Sequence, residues 1–364
     1  MSKKQFPIAK ISPPHLSGIF PRKRLFKLLD SSRSRPIIWV SGPPGAGKTT
    51  LIASYLKDKK LPCLWYQIDA GDGDIASFFH YMGLAGGKAN PRKKKPLPNL
   101  TPEYLLGLPI FTRNFFRELY SRLLGKSPLP RFPDSPFHKF IVVLDNYQDA
   151  PINSPLHDII QTGLSEIPEG INIIIISRNQ PPDAMARIQA SNNFTTLRWD
   201  DIKLTEDEAA GIASLRSSKK RLSQEFLHAI HEQTQGWVAG LVLMLEQYKE
   251  MVIPKEISNQ GTHEATFNYF AGEIFQRTDK GTQEFLLKTA FLPKATAPMA
   301  RQLTGMDAEN IFSELIENNY FTIKHFFPEP AYEYHPLFRA FLEAQANKTF
   351  ASEELIQPGV LYLF

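Results

Sequence analysis

The sequence predicts an α/β fold built on a parallel sheet, followed by an α-helical subdomain and a winged-helix subdomain, on three observations. The first is Gly42-Pro43-Pro44-Gly45-Ala46-Gly47-Lys48-Thr49, which fits G-x-x-x-x-G-K-[ST] between an apolar run and a helix-forming segment. The second is the alternation of strand-like apolar runs with helical patterns from residue 36 to about 197, the signature of βαβ units. The third is the change after Trp199 to almost continuous helical patterning, which ends in two short strand-like runs and a further helix.

Taken in order, the strands are expected at 37–41, 63–68, 140–145 and 171–177, with a weaker one at 195–197. Helices fit between them at 48–57, 74–83, 101–124, 155–166 and 181–191. The stretch 86–98 is rich in Gly, Pro and Lys and reads as an exposed insertion. In the second half, Thr205-Glu206-Asp207-Glu208 fits a capping box, with Thr205 capping and Glu208 reaching back. Further helices follow at 223–234 and 237–247, and a polar stretch at 255–262 suggests a boundary. Beyond it, helices at 265–277, 282–289, 297–303 and 307–317 precede strand-like runs at 320–325 and 332–334, separated by Phe326-Phe327-Pro328-Glu329-Pro330. The expected division is a leading segment 1–35, a nucleotide-binding domain 36–199, a helical subdomain 200–262, a winged helix 263–348 and a tail 349–364.

Composition narrows the class. The 364 residues call for two or three compact units, and 42% hydrophobic content supports a substantial core. With 42 basic against 37 acidic residues, the net charge of +5 is a weak signal. Part of the excess lies in Arg92-Lys93-Lys94-Lys95 and Lys219-Lys220-Arg221, in polar or proline-rich surroundings that suit solvated loops better than a nucleic-acid patch. The single cysteine, Cys63, excludes a disulfide within the chain and any cysteine-based metal site. The charged N-terminus is not followed by an apolar segment, and no apolar run approaches the ~18 residues of a membrane span, so the expected location is cytoplasmic with no membrane partner.

The chemistry starts at the glycine-rich loop. Its glycines let the chain turn tightly, so that backbone N–H groups and the positive end of the following helix face a phosphate. Gly42 through Gly47, with Thr50, would line the phosphates; Lys48 would reach the β- and γ-phosphates, and the Thr49 hydroxyl would take a position on Mg²⁺. Phe140-Ile141-Val142-Val143-Leu144-Asp145 supplies the partner acid at the end of a buried strand, so Asp145 is the second expected metal ligand. Many ATPases place another acid directly after this one. Here it is Asn146, a poor general base, so hydrolysis is expected to be slow or to use another residue such as Asp149. Asp69, Asp72 and Asp74 follow the second strand and read as a solvated turn, with Asp69 the best exception. Arg178, at the tip of the next strand, could report a γ-phosphate or be a surface arginine. Trp237 in Gln235-Gly236-Trp237-Val238-Ala239-Gly240-Leu241 suits a tight helix start packed into the core, and His335 alone could be structural.

Taken together and in order, these residues resemble the nucleotide-binding module of the MalT-like signal-transduction ATPases, the STAND class. The similarity runs from Lys10-Ile11-Ser12-Pro13-Pro14 and Phe20-Pro21-Arg22-Lys23-Arg24-Leu25 through Trp65-Tyr66-Gln67-Ile68-Asp69 to Leu144-Asp145-Asn146-Tyr147-Gln148. It continues through Ile176-Ser177-Arg178-Asn179-Gln180-Pro181-Pro182, Leu204-Thr205-Glu206-Asp207-Glu208-Ala209 and Thr234-Gln235-Gly236-Trp237 to Tyr334-His335-Pro336-Leu337-Phe338. The resemblance implies an AAA/STAND-like P-loop NTPase sheet that binds ATP or ADP with Mg²⁺. It places Pro21 and Arg22 beside the adenine and ribose, Arg178 at the sensor position among the catalytic residues Lys48 and Asp145, and His335 on the β-phosphate of ADP.

It further implies a regulatory switch with weak ATPase activity, closed with ADP and self-associating with ATP. Relatives of this kind continue into a helical-repeat sensor and often a DNA-binding domain. The chain stops at Phe364, so the expectation is a truncated product, an excised module, or a regulator acting through a partner protein. Direct DNA binding by this chain is not expected. The alternatives are a phosphoryl-transfer enzyme acting on a small molecule and a DNA-binding protein that uses its winged helix.

Overall fold

The computed structural model describes residues 8–91, 95–125, 140–216, 222–252, 271–272, 275–318, 320–325 and 330–350. The chain divides into two compact units: 1–42 with 48–202, and 43–47 with 203–364.

The first unit is a five-stranded sheet with helices. Its strands are β1 (Ile37–Ser41), β2 (Cys63–Gln67), β3 (Phe140–Asp145), β4 (Ile171–Ser177) and β5 (Phe194–Leu197), in the order β2-β3-β4-β1-β5. Every pairing is parallel. Strands β1, β3 and β4 are buried at every position, which is why they read as unbroken aliphatic runs rather than as alternation. Because β4 lies between β1 and β3, the tips of all three strands meet at one edge of the sheet, with Ser41 opposite Ser177 and Gln67 opposite Asp145.

Helices α1 (Lys23–Ser32), α2 (Lys48–Asp58), α3 (Ile75–Ala89), α4 (Leu108–Leu124), α5 (Leu156–Ser165) and the short α6 (Ala186–Gln189) and α7 (Trp199–Ile202) complete the unit. Asp74 caps α3 by accepting the N–H groups of Ala76 and Ser77, both at 3.3 Å. An aromatic chain ties α3 and α4 to the sheet: Phe79 meets Phe111 and Phe115 edge to face, each at 4.9 Å, and Tyr66 meets Phe78 at 5.5 Å.

Several sequence expectations need correction here. The expected exposed insertion at 86–98 is not one at its start, where α3 continues through Ala89, nor at Leu97, which is buried in the main core. The expected helix 101–124 opens as a 3-10 turn, Pro102–Gly107, before α4 begins. The expected helix 181–191 is a 3-10 turn followed by the four residues of α6. Asp72 is not solvated but fully buried. It accepts the Tyr66 hydroxyl at 2.7 Å and the Asp69 N–H at 3.0 Å, and pairs with Lys10 at 2.9 Å.

In the second unit, α8 (Glu206–Arg216), α9 (Gln224–Thr234) and α10 (Val238–Val252) pack around Leu204, Ala209, Ala213, Ile230, Leu241 and Leu245. The capping box forms in both directions, Glu208 N–H to Thr205 Oγ1 at 3.3 Å and Thr205 N–H to Glu208 Oε2 at 3.4 Å. Helices α11 (Lys280–Thr289), α12 (Ala297–Thr304) and α13 (Ala308–Glu317) follow, then α14 (Pro336–Thr349). A small antiparallel sheet, ordered β6 (Ala295–Thr296), β8 (Ala331–Tyr334), β7 (Thr322–His325), supplies the wing. Phe312 stacks on Tyr332 with ring centres 4.0 Å apart, fixing α13 to this sheet. The 255–262 boundary and most of the 265–277 helix lie outside the described residues.

Phe115 of α4 is fully buried in the main core, edge to face with Phe79 of α3. Phe115→Ala is expected to destabilise the first unit by about 3–5 kcal/mol. Urea unfolding followed by circular dichroism checks this; an unchanged midpoint contradicts the packing described.

Candidate functional site

The edge where β1, β3 and β4 end gathers the charged residues of the motif. Lys48 opens α2 and is buried, with its Nζ donating to the Gly42 carbonyl at 2.6 Å. Burial, then the neighbouring Arg178 charge, pull its pKa down to about 7, while Asp145 acts in the opposite direction. Thr49 Oγ1 donates to Asp145 Oδ1 at 3.0 Å, and the Asn146 N–H donates to the same oxygen, also at 3.0 Å. Burial holds Asp145 up at about 6, against the hydrogen bonds from Thr49 and Asn146 and the charge of Lys48. A buried ammonium and a buried carboxylate, each with its charged form disfavoured, fit ligands of opposite sign: a polyanion at Lys48 and a divalent cation at Thr49 and Asp145. Among the described residues no cluster of three or more His, Cys, Asp and Glu is arranged to hold a metal ion. A cation here would draw on two side chains and on its phosphate ligand.

Asn146 follows with φ 59°, a left-handed turn that redirects the chain out of β3. Two residues on, Gln148 accepts the Arg178 N–H on Oε1 at 3.0 Å, so the turn after β3 holds the tip of β4. In the sequence, only its place in Asp-Asn-Tyr-Gln marks Gln148. Gln180 Nε2 donates to Ser41 Oγ at 3.3 Å and Trp39 Nε1 to the Asn179 carbonyl at 3.0 Å, which joins the β4 tip to β1 as well.

Thr50 lies in the first turn of α2, half-buried. Pro21 is exposed, while Arg22 is buried and donates from Nη2 to the Ile202 carbonyl at 2.7 Å. Asp69 and Asp74 cap helical turns rather than reaching the strand tips. Pro43, Pro44, Gly45, Ala46 and Gly47 group with the second unit. There the Trp237 indole donates to the Pro44 carbonyl at 2.8 Å, and the Ala239 N–H donates to the Gly45 carbonyl at 3.1 Å. His335 is buried in the same unit. Its Nε2 bonds the Thr234 carbonyl at 2.8 Å, and its Nδ1 accepts the Leu337 N–H at 3.3 Å, which makes it the cap of α14.

Comparison with known proteins bears on both halves of the chain. Residues 271–354 match the family model described as the MalT winged helix domain. The HTH-type transcriptional regulator MalT of Vibrio campbellii is 23% identical over 348 residues, covering 94% of this chain and 37% of that protein. MalT of Yersinia pestis is 24% identical over 361 residues, covering 95% and 37%. Nearly the whole chain is thus similar to MalT regulators. Among solved structures, the Walker-type ATPase of Pyrococcus abyssi covers 89% of this chain and 96% of its own, with a TM-score of 0.56 at 12% identity. That likeness shows the shared P-loop NTPase fold. The MalT-like chain spans little more than a third of the length of the curated relatives it matches. Among its described residues, no helix is long and apolar enough to cross a membrane.

Burial lowers the His335 pKa, so the ring is held neutral. The unfolded chain therefore takes up a proton below about pH 6.5 that the folded chain resists, and stability falls as pH drops through that value. His335→Asn, which keeps a capping acceptor, is expected to flatten the loss of melting temperature between pH 7.5 and 5.5. An unaltered slope would show that His335 does not titrate on unfolding.

Proposed function

We propose that this chain is the nucleotide-responsive switch of a MalT-like regulator, binding ATP or ADP with Mg²⁺ at the loop 42–49. The observation that supports it most directly is the 3.0 Å contact between Thr49 Oγ1 and Asp145 Oδ1 beside the buried Lys48. These are the donor set and the charge that a Mg²⁺-nucleotide requires. Lys48 would carry the β- and γ-phosphates, and Thr49 and Asp145 would hold the cation. Bound there, Mg²⁺ would supply neutralisation of phosphate charge. Arg178, close enough to Lys48 for their charges to interact, would read the presence of the γ-phosphate.

Turnover would be slow. Asn146 stands where an acid would polarise water, and its N–H is turned back onto Asp145. The chain would thus act as a regulator whose nucleotide state selects between a closed, ADP-bound form and an open form that self-associates with ATP. Reversing a 1:99 population in this way requires the two nucleotides to differ by about 5.5 kcal/mol in their preference for the two forms.

Titration calorimetry with ADP and ATP, with and without Mg²⁺, tests the reading. Lys48→Ala is expected to weaken ATP by roughly 10- to 150-fold, the worth of a lost hydrogen bond to a charged group. Asp145→Asn is expected to remove the Mg²⁺ dependence while leaving metal-free binding nearly intact. Absence of nucleotide binding by the unmodified chain with Mg²⁺ overturns the proposal.

A further inference from the structure

The segment Gln235-Gly236-Trp237-Val238-Ala239-Gly240-Leu241 does more than start a helix. Trp237 is 1% exposed, and its indole N–H is spent on the Pro44 carbonyl, 193 residues away in sequence. Beside it, the Ala239 N–H in the first turn of α10 takes the Gly45 carbonyl. There is no slack in this fit: a Cβ at Gly45 would lie 2.6 Å from Ala239 Cβ and 2.9 Å from the Trp237 indole nitrogen. The turn that presents Trp237 needs Gly236, whose φ is +82° and whose Cβ would lie 2.7 Å from the Leu204 carbonyl oxygen.

Across a trans peptide the C=O and N–H point in opposite directions. Holding Pro44 by its carbonyl therefore fixes the direction of the Gly45 N–H, and the Ala46 N–H closes the same turn onto the Pro43 carbonyl at 3.2 Å. The backbone N–H groups of such a loop are its phosphate ligands. Whatever holds the carbonyls in place orients them.

The other side of the indole faces the winged helix. Phe321 meets it edge to face at 5.0 Å and His335 at 5.9 Å, and the two contact each other at 5.5 Å. His335 Nε2 and the Trp237 backbone N–H converge on one acceptor, the Thr234 carbonyl, at 2.8 and 2.7 Å. Both ring nitrogens of His335 are thereby engaged within this unit.

We infer that Trp237 is the positioning residue of the phosphate loop, and that the winged helix acts on the loop through His335 and this indole. The inference rests on the proposed nucleotide binding at the loop. Trp237→Phe keeps an aromatic ring but loses the N–H, and His335→Asn keeps the α14 cap but loses the ring and its reach to Thr234.

The test is titration of a fluorescent ADP analogue against the unmodified chain, each variant and the double variant, with melting curves to confirm folding. Trp237→Phe is expected to weaken binding at least tenfold and His335→Asn severalfold. The double variant should be no weaker than Trp237→Phe alone, because one residue works through the other. A merely structural pair would multiply its effects, and that result, or Trp237→Phe binding within twofold of the unmodified chain, overturns the inference. If Trp237→Phe does not fold, hydrogen exchange of the unmodified chain decides: ADP should slow the amides of 334–342, and unchanged exchange there overturns the inference. Lack of any ADP binding by the unmodified chain would instead remove the nucleotide reading itself.

Discussion

Burial of opposite charges at one edge of a parallel sheet is the constraint around which the first unit is arranged. Lys48 and Asp145 are both desolvated, and each pays for it with a shifted pKa. Neither shift serves stability. An apolar pair would pack there at less cost, so the arrangement makes physical sense where ligands supply the missing charge. The strand order makes it possible: with β4 between β1 and β3, the end of β1, the acid ending β3 and the arginine after β4 reach the same edge. Small polar bonds then hold the edge in register, Gln148 to Arg178 and Gln180 to Ser41.

The second unit applies a different constraint to residues 43–47. The carbonyls of Pro44 and Gly45 are both claimed by the start of α10. That grip depends on two left-handed residues in succession, Gln235 and Gly236, which reverse the chain after α9 and leave the indole pointing at the loop. The winged-helix residues Phe321 and His335 close around the same ring. Loop geometry and winged-helix packing thus share one buried side chain.

What could be read from sequence was what is local. Gly42 to Thr49 and the run ending in Asp145 carry their chemistry in contiguous spacing, and the strands show because full burial leaves uninterrupted aliphatic runs. Residues 86–89 read as a loop because glycine and lysine within a helix resemble one, whereas Gly86 in α3 lies against Leu119 and Leu97. Asp72 misled because its partners, Tyr66 and Lys10, come from separate stretches of chain. The bond from Trp237 to Pro44 could not be read at all: nothing in either segment names the other, and only the fold brings them together. His335 was marked by resemblance alone, and its hydrogen bonds lie within the second unit.

The claim that organises these observations is that the buried charges exist to hold a nucleotide. Chromatography of the small molecules released when freshly purified protein is denatured with acid tests it most directly. A near-stoichiometric yield of adenine nucleotide, mainly ADP, is the predicted result. Protein that releases no nucleotide, and takes up none when incubated with millimolar ADP and Mg²⁺, would contradict it.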